Sequence, residues 1–440
     1  MLKKVAAALL GTSLLFGGIT MTNSKETDAK VNYDLKGKVK NIIFMVPDGF
    51  SASYATNYRW YKGQEAAWDS MLVGMMRTYS ANSEVTDSAA AGTAMATGYK
   101  TNNGVISMTP DGKSLKTLLE GAQEVGKATG LVATSTITHA TPAVFSSHVA
   151  SRASEADIAI QMLDHNVDVM LGGGKNNFIT KAQGGKQETR DLLAEAKRAG
   201  YTIAEDANSL KEAKGEKVLG LFAPEGMAPE LDRDETGQPS LADMTKTALN
   251  KLKKDKDGFF LMVEGSQIDW AGHAHDAAWA MKDAEAFEQA VKEVIRFAEK
   301  DGQTVVVVAG DHDTGGMSVG GYGQYDAKLE VLRNVTATGD FMVKQFNLDK
   351  TNIKEIVKTY TQIDLSDQEV EKIKAAGSKA SIVLNEIISE KALVGWTSTQ
   401  HTGVDVPLYA FGPKSDLFRG LKENIELPII MGRLIGVNLR

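Results

Sequence analysis

The 440-residue chain contains no cysteine. Disulfide staples are therefore excluded, and so is thiolate-bound zinc; any metal must sit on His, Asp and Glu. Histidine is scarce as well, with seven in all: His139, His148, His165, His273, His275, His312 and His401. No basic run exceeds short pairs such as Lys253-Lys254, and the formal net charge is -7. A nucleic-acid partner, which normally needs a concentrated basic face, is not expected on that ground. Long apolar runs are missing except at the start, where MLKKVAAALLGTSLLFGGIT joins a Lys pair to a short apolar stretch. That is the pattern of a secretory signal, too short and Gly-rich for a membrane span. Residues 1–29 are read as a signal peptide, with Thr27-Asp28-Ala29 offering one cleavage position and sites nearer Met21 others. The mature chain, residues 30–440, is expected not to span a membrane and to be exported to the periplasm, cell envelope or medium. Its 42% hydrophobic and 24% charged content is that of an ordinary globular protein with an ample core.

Several short apolar runs end in turn sequences. Asn41 to Val46 ends at Pro47-Asp48-Gly49, Thr129 to Ser135 leads to Thr138-His139-Ala140-Thr141-Pro142, and Phe259 to Val263 leads to Glu264. Thr304 to Ala309 ends at Gly310-Asp311-His312, and Val406 to Phe411 follows His401. Short, mostly apolar runs of this kind read as strands, the unbroken ones such as Phe259 to Val263 as strands buried on both faces. Helical patterns alternate with them, notably Ala277 to Glu299. The predicted fold is α/β: a central, mostly parallel sheet flanked by helices on both faces. From about Tyr322 to Val394 apolar density falls and helix patterns dominate, which reads as a helical insertion capping the sheet. Pro142 is expected to open a helix running through His148 towards Arg152.

The densest chemistry lies in GFFLMVEGSQIDWAGHAHD, residues 258–276. Asp269 and His273 are four apart, so a helix there puts both on one face, able to hold one cation. Asp48 alone reads as a helix cap for the segment beginning near Ser51, in preference to a carboxylate exposed at a strand end. Ser88 opens an Ala-rich stretch and has two readings, a helix cap or a hydroxyl placed where a helix start attracts anions. Arg152 by itself is a surface arginine. Parallel strands deliver their carboxyl ends to one edge, so Asp48, Glu264, Asp269, His273, Asp311, His312 and His401 can converge there. Oxygen and imidazole donors of this kind suit zinc with a harder ion beside it.

Taken together, Pro47-Asp48-Gly49, Thr86-Asp87-Ser88-Ala89-Ala90, Thr138 to Pro142 through Ser151-Arg152, Val263-Glu264-Gly265 with Asp269 and His273, Asp311-His312, and His401-Thr402-Gly403 resemble the metal-dependent alkaline phosphatases. The resemblance implies hydrolysis of small phosphate monoesters through a phosphoserine at Ser88, with broad specificity. It implies two Zn2+ ions and one Mg2+ ion. One zinc would take Asp269, His273 and His401; the other would take Asp48, Asp311 and His312 within reach of Ser88. Magnesium would take Asp48, Thr141 and Glu264, and Arg152 would grip phosphate. Most relatives are dimers, so the resemblance allows a homodimer as well as a monomer. His139 and Trp270 stand where the enterobacterial enzyme has an aspartate and a lysine, and both can touch the site from behind the ligands. His148, His165 and His275 match no catalytic position; they read as surface or core histidines, although His275 is close enough to His273 to support it. Sulfatases fit less well, because Ser88-Ala89-Ala90-Ala91-Gly92 lacks their Pro and Arg. Phosphodiesterases commonly have threonine as nucleophile and lack an arginine like Arg152. From a different class, a non-catalytic phosphate- or metal-binding protein on the same fold is separable by assay.

Overall fold

Residues 39–439 are described by the computed structural model; the expected signal peptide lies outside them. The strands are β1 (Asn41–Pro47), β2 (Leu72–Arg77), β3 (Ala128–Thr136), β4 (Val169–Gly173), β5 (Thr202–Ala204) and β6 (Val218–Leu221). They continue with β7 (Phe259–Gly265), β8 (Thr304–Ala309), β9 (Asp313–Thr314), β10 (His401–Thr402), β11 (Val406–Phe411) and β12 (Gly420–Glu423). Ten form one sheet in the order β12-β2-β11-β8-β1-β7-β3-β4-β6-β5. Every neighbouring pair from β8 to β5 is parallel, and β11 runs antiparallel to both its neighbours. The mostly parallel α/β sheet expected from the apolar runs is what forms.

Strand periodicity divides the core. Ile43, Met45, Leu261, Val263, Val306 and Val308 join one apolar layer, while Ile42, Phe44, Val46, Phe260, Met262, Val305 and Val307 join the other. With both faces covered, no polar alternation is needed, which is why these strands read as unbroken apolar runs. The first layer is closed by the helix Ala277–Asp301, whose buried Ala280, Met281, Ala284, Phe287, Val291 and Val294 recur at helical spacing. Asp276 caps its start by accepting from Trp279 N, and Gly302 ends it. Helices Ser88–Thr97, Leu118–Glu124 and Glu426–Leu434 contribute to the second layer.

The stretch between β9 and β10 carries the expected helices, Gly339–Lys344, Ile353–Thr361, Asp367–Ala375 and Ala380–Lys391 among them. Its Leu332, Met342, Val357, Ile373, Leu384 and Ile388 belong to the same apolar cluster as the Ala277–Asp301 helix. Its two ends are pinned together by β9 and β10, which pair His401 with Thr314 and Thr402 with Asp313.

The helix expected from Pro142 towards Arg152 is cut short. It covers only Ala140–Ala143. The Ser107 hydroxyl takes the Val144 carbonyl, Thr117 Oγ1 takes that of Phe145 at 2.6 Å, and Val149 bridges to Ile106. Carbonyls that a continuing helix would use are thus claimed by side chains and an extended segment. Among the described residues, no helix is long and apolar enough to cross a membrane.

Phe287 is 1% exposed and packs where a Cβ on Gly265 would come within 2.8 Å of its ring. Phe287→Ala should cost about 3–5 kcal/mol through transfer and cavity terms, read as a fall in the chemical-denaturation midpoint at constant slope.

Candidate active site

Four adjacent strands set the site. Their parallel register levels the carboxyl ends: Met45 of β1 lies beside Val263 of β7 and Val308 of β8, and Val263 lies beside Val132 of β3. Asp48 follows β1, Asp311 and His312 follow β8, and Glu264 ends β7 with Asp269 and His273 in the next helix, Gln267–His273. Asp48 is no helix cap; Ser51 holds that place for Ala52–Lys62. Asp311 Oδ1 accepts from Gly49 N at 3.1 Å and from His312 N at 3.0 Å, which ties the β1 and β8 ends together. Gly49 has φ 75°, and a Cβ there would sit 2.8 Å from the Asp269 Cα, so only glycine lets these chains meet. Gly272 allows a similar approach, because its Cβ would meet Tyr54 Oη at 2.5 Å.

His401 arrives through the β9–β10 pairing. Its Nδ1 is 2.8 Å from the Thr86 carbonyl, and His273 Nδ1 is 2.7 Å from the Thr399 carbonyl. Only a protonated nitrogen can face a carbonyl oxygen that closely, so each ring carries a proton on Nδ1 and presents a lone pair at Nε2 in its neutral form. These Nε2 atoms lie 3.2 Å apart, and each is 3.4 Å from Asp269 Oδ1. Ligands roughly 2.0–2.1 Å from a tetrahedral ion are separated by about 3.3 Å, so the spacing suits zinc. Thr314 donates to Asp269 from behind, and the Thr314 carbonyl accepts from Tyr54 Oη at 2.5 Å.

Three sets of ligand atoms lie within 4.8 Å of one another: Asp269, His312 and His401; Asp48, Asp311 and His312; and Asp48, His139 and Glu264. Asp48 Oδ1, Glu264 Oε1 and Asp311 Oδ2 are buried without a hydrogen bond. Burial, then repulsion from Asp311, Asp269 and Glu264, pushes the Asp48 carboxyl well above the usual range. Burial likewise takes Glu264 up to about 7. For Asp269 burial acts upward, but the hydrogen bonds of His273 and His401 hold it well below the usual range. Burial pulls His312 down, and the adjacent Asp311 more than offsets this, leaving it raised. Buried anions and facing lone pairs of this kind need counter-cations, so the donor set fits divalent ions. Thr141 Oγ1 reaches Asp48 Oδ2 at 3.5 Å, and a ring nitrogen of His139 lies within 4.8 Å of carboxylate oxygens of the same Asp48–Glu264 pair.

Ser88 begins the helix Ser88–Thr97, every residue of which is buried. Its Oγ is 3.2 Å from His312 Nε2. Asp87 caps that helix through Ala90 N at 3.0 Å and accepts from Arg152 Nη1 at 3.1 Å. Arg152 Nη2 donates to His139 Nε2 at 2.9 Å. Burial and the Arg152 charge lower His139 to about 4, so its ring is neutral there. Trp270 stands edge-on to His139, with centroids 6.0 Å apart at 87°. All twelve residues singled out from the sequence therefore belong to one connected group. His148 and His165 do not join it; they lie 2.9 and 3.5 Å from Glu120. Asp87, Thr314 and Tyr54 were missed as contributors. A helix-cap aspartate and a threonine two residues past His312 have no distinguishing spacing.

The chain matches the family described as "Alkaline phosphatase" over residues 39–437. It is 42% identical to alkaline phosphatase 3 of Bacillus subtilis (strain 168), covering 99% of this chain and 96% of that protein. The crystal structure of Thermus thermophilus alkaline phosphatase superposes with a TM-score of 0.85 at 30% identity, covering 92% of this chain and 93% of that one. A cold-active alkaline phosphatase from Shewanella sp. superposes at 0.83 with 33% identity, covering 90% of this chain and 99% of the other. With a buried serine, an arginine and three sets of donors able to hold a metal ion at one sheet edge, and with these likenesses along its length, the chain belongs to the alkaline phosphatase family.

Proposed function

We propose that this alkaline phosphatase hydrolyses phosphate monoesters through a phosphoserine at Ser88, beside two zinc ions and one magnesium ion. Asp269, His273 and His401 would hold one zinc, Asp48, Asp311 and His312 the other, and Asp48, Thr141 and Glu264 the magnesium, with His139 alongside. Ions bound there would neutralise charge on the entering and leaving oxygens and lower the pKa of oxygens they touch. The observation that carries this assignment is the 3.2 Å approach of Ser88 Oγ to His312 Nε2, inside the ligand cluster.

Ser88 Oγ attacks phosphorus, the ester oxygen leaves as alcohol, and water then cleaves the phosphoserine to release inorganic phosphate. Ser88 occupies a helix start, where unpaired N–H groups and the dipole favour the phosphoryl anion. Arg152, braced by Asp87 on one side and His139 on the other, offers a planar fork for two phosphate oxygens. These contacts grip the phosphoryl group alone, which supports broad specificity for the alcohol. We propose further that residues 1–29 direct export and that residues 30–440 form a single catalytic domain. In it the 322–394 stretch acts as a cap, and the chain works as a homodimer.

Turnover of p-nitrophenyl phosphate should fall to background after EDTA and return with zinc plus magnesium. A folded, zinc-loaded protein without turnover would instead make the chain a binding protein. Ser88→Ala should lower kcat by at least about 10³-fold, as deletion of a covalent nucleophile does, and should abolish the acid-trapped phosphoenzyme while zinc stays bound; label retained in the variant would remove Ser88 from this role. In the metal-free protein Asp48, Glu264, His273 and His312 all bind protons more tightly folded than unfolded. Stability should therefore fall as pH rises from about 5 to 8, and the lowered Asp269 and Asp311 lose their contribution only under more acid conditions. Expected is a lower Tm for EDTA-treated protein at about pH 8 than at about pH 5.5, with the larger rise on adding zinc and magnesium at the higher pH. Equal shifts at both pH values would count against these residues as ligands.

A further inference from the structure

His275 lies two residues beyond His273 and has a left-handed backbone, φ 53°, a conformation that a non-glycine residue keeps only where its surroundings hold it. The hold comes from two sides. Its ring Nε2 is 2.9 Å from the Ser398 carbonyl, and Nδ1 is 2.9 Å from Glu386 Oε1 on the helix Ala380–Lys391. The ring stacks on Trp396, centroids 5.1 Å apart and 5° from parallel. The same helix grips the main chain here: Ser389 Oγ donates to His275 O at 3.0 Å, and Asn385 Nδ2 donates to Ala274 O at 2.9 Å.

Ser398 belongs to the strap 396–401 that leads into His401. The next carbonyl along, Thr399 O, is the one that fixes the His273 ring. On its other edge the strap is tied to Gly315, whose carbonyl accepts from Thr397 N at 2.8 Å and Ser398 N at 3.2 Å, and whose N–H donates to Gln400 O at 2.9 Å. His275 therefore supplies the second anchor of a segment that orients one imidazole and carries the other.

We infer that His275 is a positioning residue through which the Ala380–Lys391 helix, with Glu386, holds His273 and His401 at zinc-binding separation. The inference rests on the assignment of those two histidines as ligands of one zinc. A group that fixes the ring of a metal ligand contributes to affinity without touching the ion, typically by 10–100-fold. His275 thus ties the helical excursion between β9 and β10 to occupancy of that zinc, not only to its packing.

The test is zinc titration of the intact protein against a competing chelator. In His275→Ala one zinc should bind up to about 10-fold more weakly, the low end of the range for a direct partner of the ligand because His275 acts one residue further along the strap. It should also leave faster, while the zinc on Asp48, Asp311 and His312 keeps its affinity. Activity lost in limiting zinc should return as zinc is raised. Glu386→Ala, made on a side chain 48% exposed, should weaken the same zinc by less. The double variant should be no weaker than His275→Ala alone. His275→Gln keeps an N–H for Ser398 and should recover most of the loss. His273→Ala separates the two levels: if it binds both zinc ions normally, the ligand assignment fails. If it loses one zinc while His275→Ala and Glu386→Ala bind as the unaltered protein does, only the positioning role fails. Should His275→Ala not fold, unchanged zinc affinity in Glu386→Ala overturns the link.

Discussion

The carboxyl edge of the sheet depends on electron-rich atoms being crowded together with too few protons to share. Asp48, Glu264, Asp269 and Asp311 are all buried, and the Nε2 atoms of two imidazoles face each other beside Asp269. Each of these groups is costly to take from water alone, and the cost multiplies when the charges are alike. The protein meets part of it with donors: Gly49 N and His312 N for Asp311, Thr314 for Asp269. The remainder, visible in the oxygens of Asp48, Glu264 and Asp311 that accept no hydrogen bond, is what a divalent ion bound there would offset.

Such a cluster can persist only on a frame that does not yield. The frame is the parallel middle of the sheet, where β1, β7 and β8 are buried along their whole length and apolar layers press from both sides. Close approach of backbone is then a matter of small residues. The Ala-rich helix brings Ser88 against His312, and Gly49 and Gly272 let three strand ends share one space. Main-chain carbonyls complete the work by fixing both His273 and His401 as Nδ1 tautomers. Arg152 is braced likewise, by Asp87 and a neutral His139.

Much of this was legible in residue order. Buried parallel strands announce themselves as short runs without polar alternation, and the carboxylates and histidines stand directly after them. Asp269 and His273 at helical spacing, and Ser88 before an alanine run, were also visible. The helix expected beyond Pro142 was not, because what ends it is Ser107, Thr117 and Ile106, all distant in the chain. Nor did any local pattern mark Asp87, Thr314, Tyr54 or Glu386. Their contribution is a hydrogen bond to a residue that sequence spacing does not bring near.

By itself the sequence determined the donor chemistry: no thiolate, few imidazoles, and carboxylates placed at the ends of apolar strands. Tertiary structure alone decided the distances between them. The level ends of β1, β7 and β8, and the return of His401 after a long excursion, come from strand pairing and packing between residues hundreds of positions apart. Those long-range terms leave no period in the chain, whereas strand burial and helix faces are local and do.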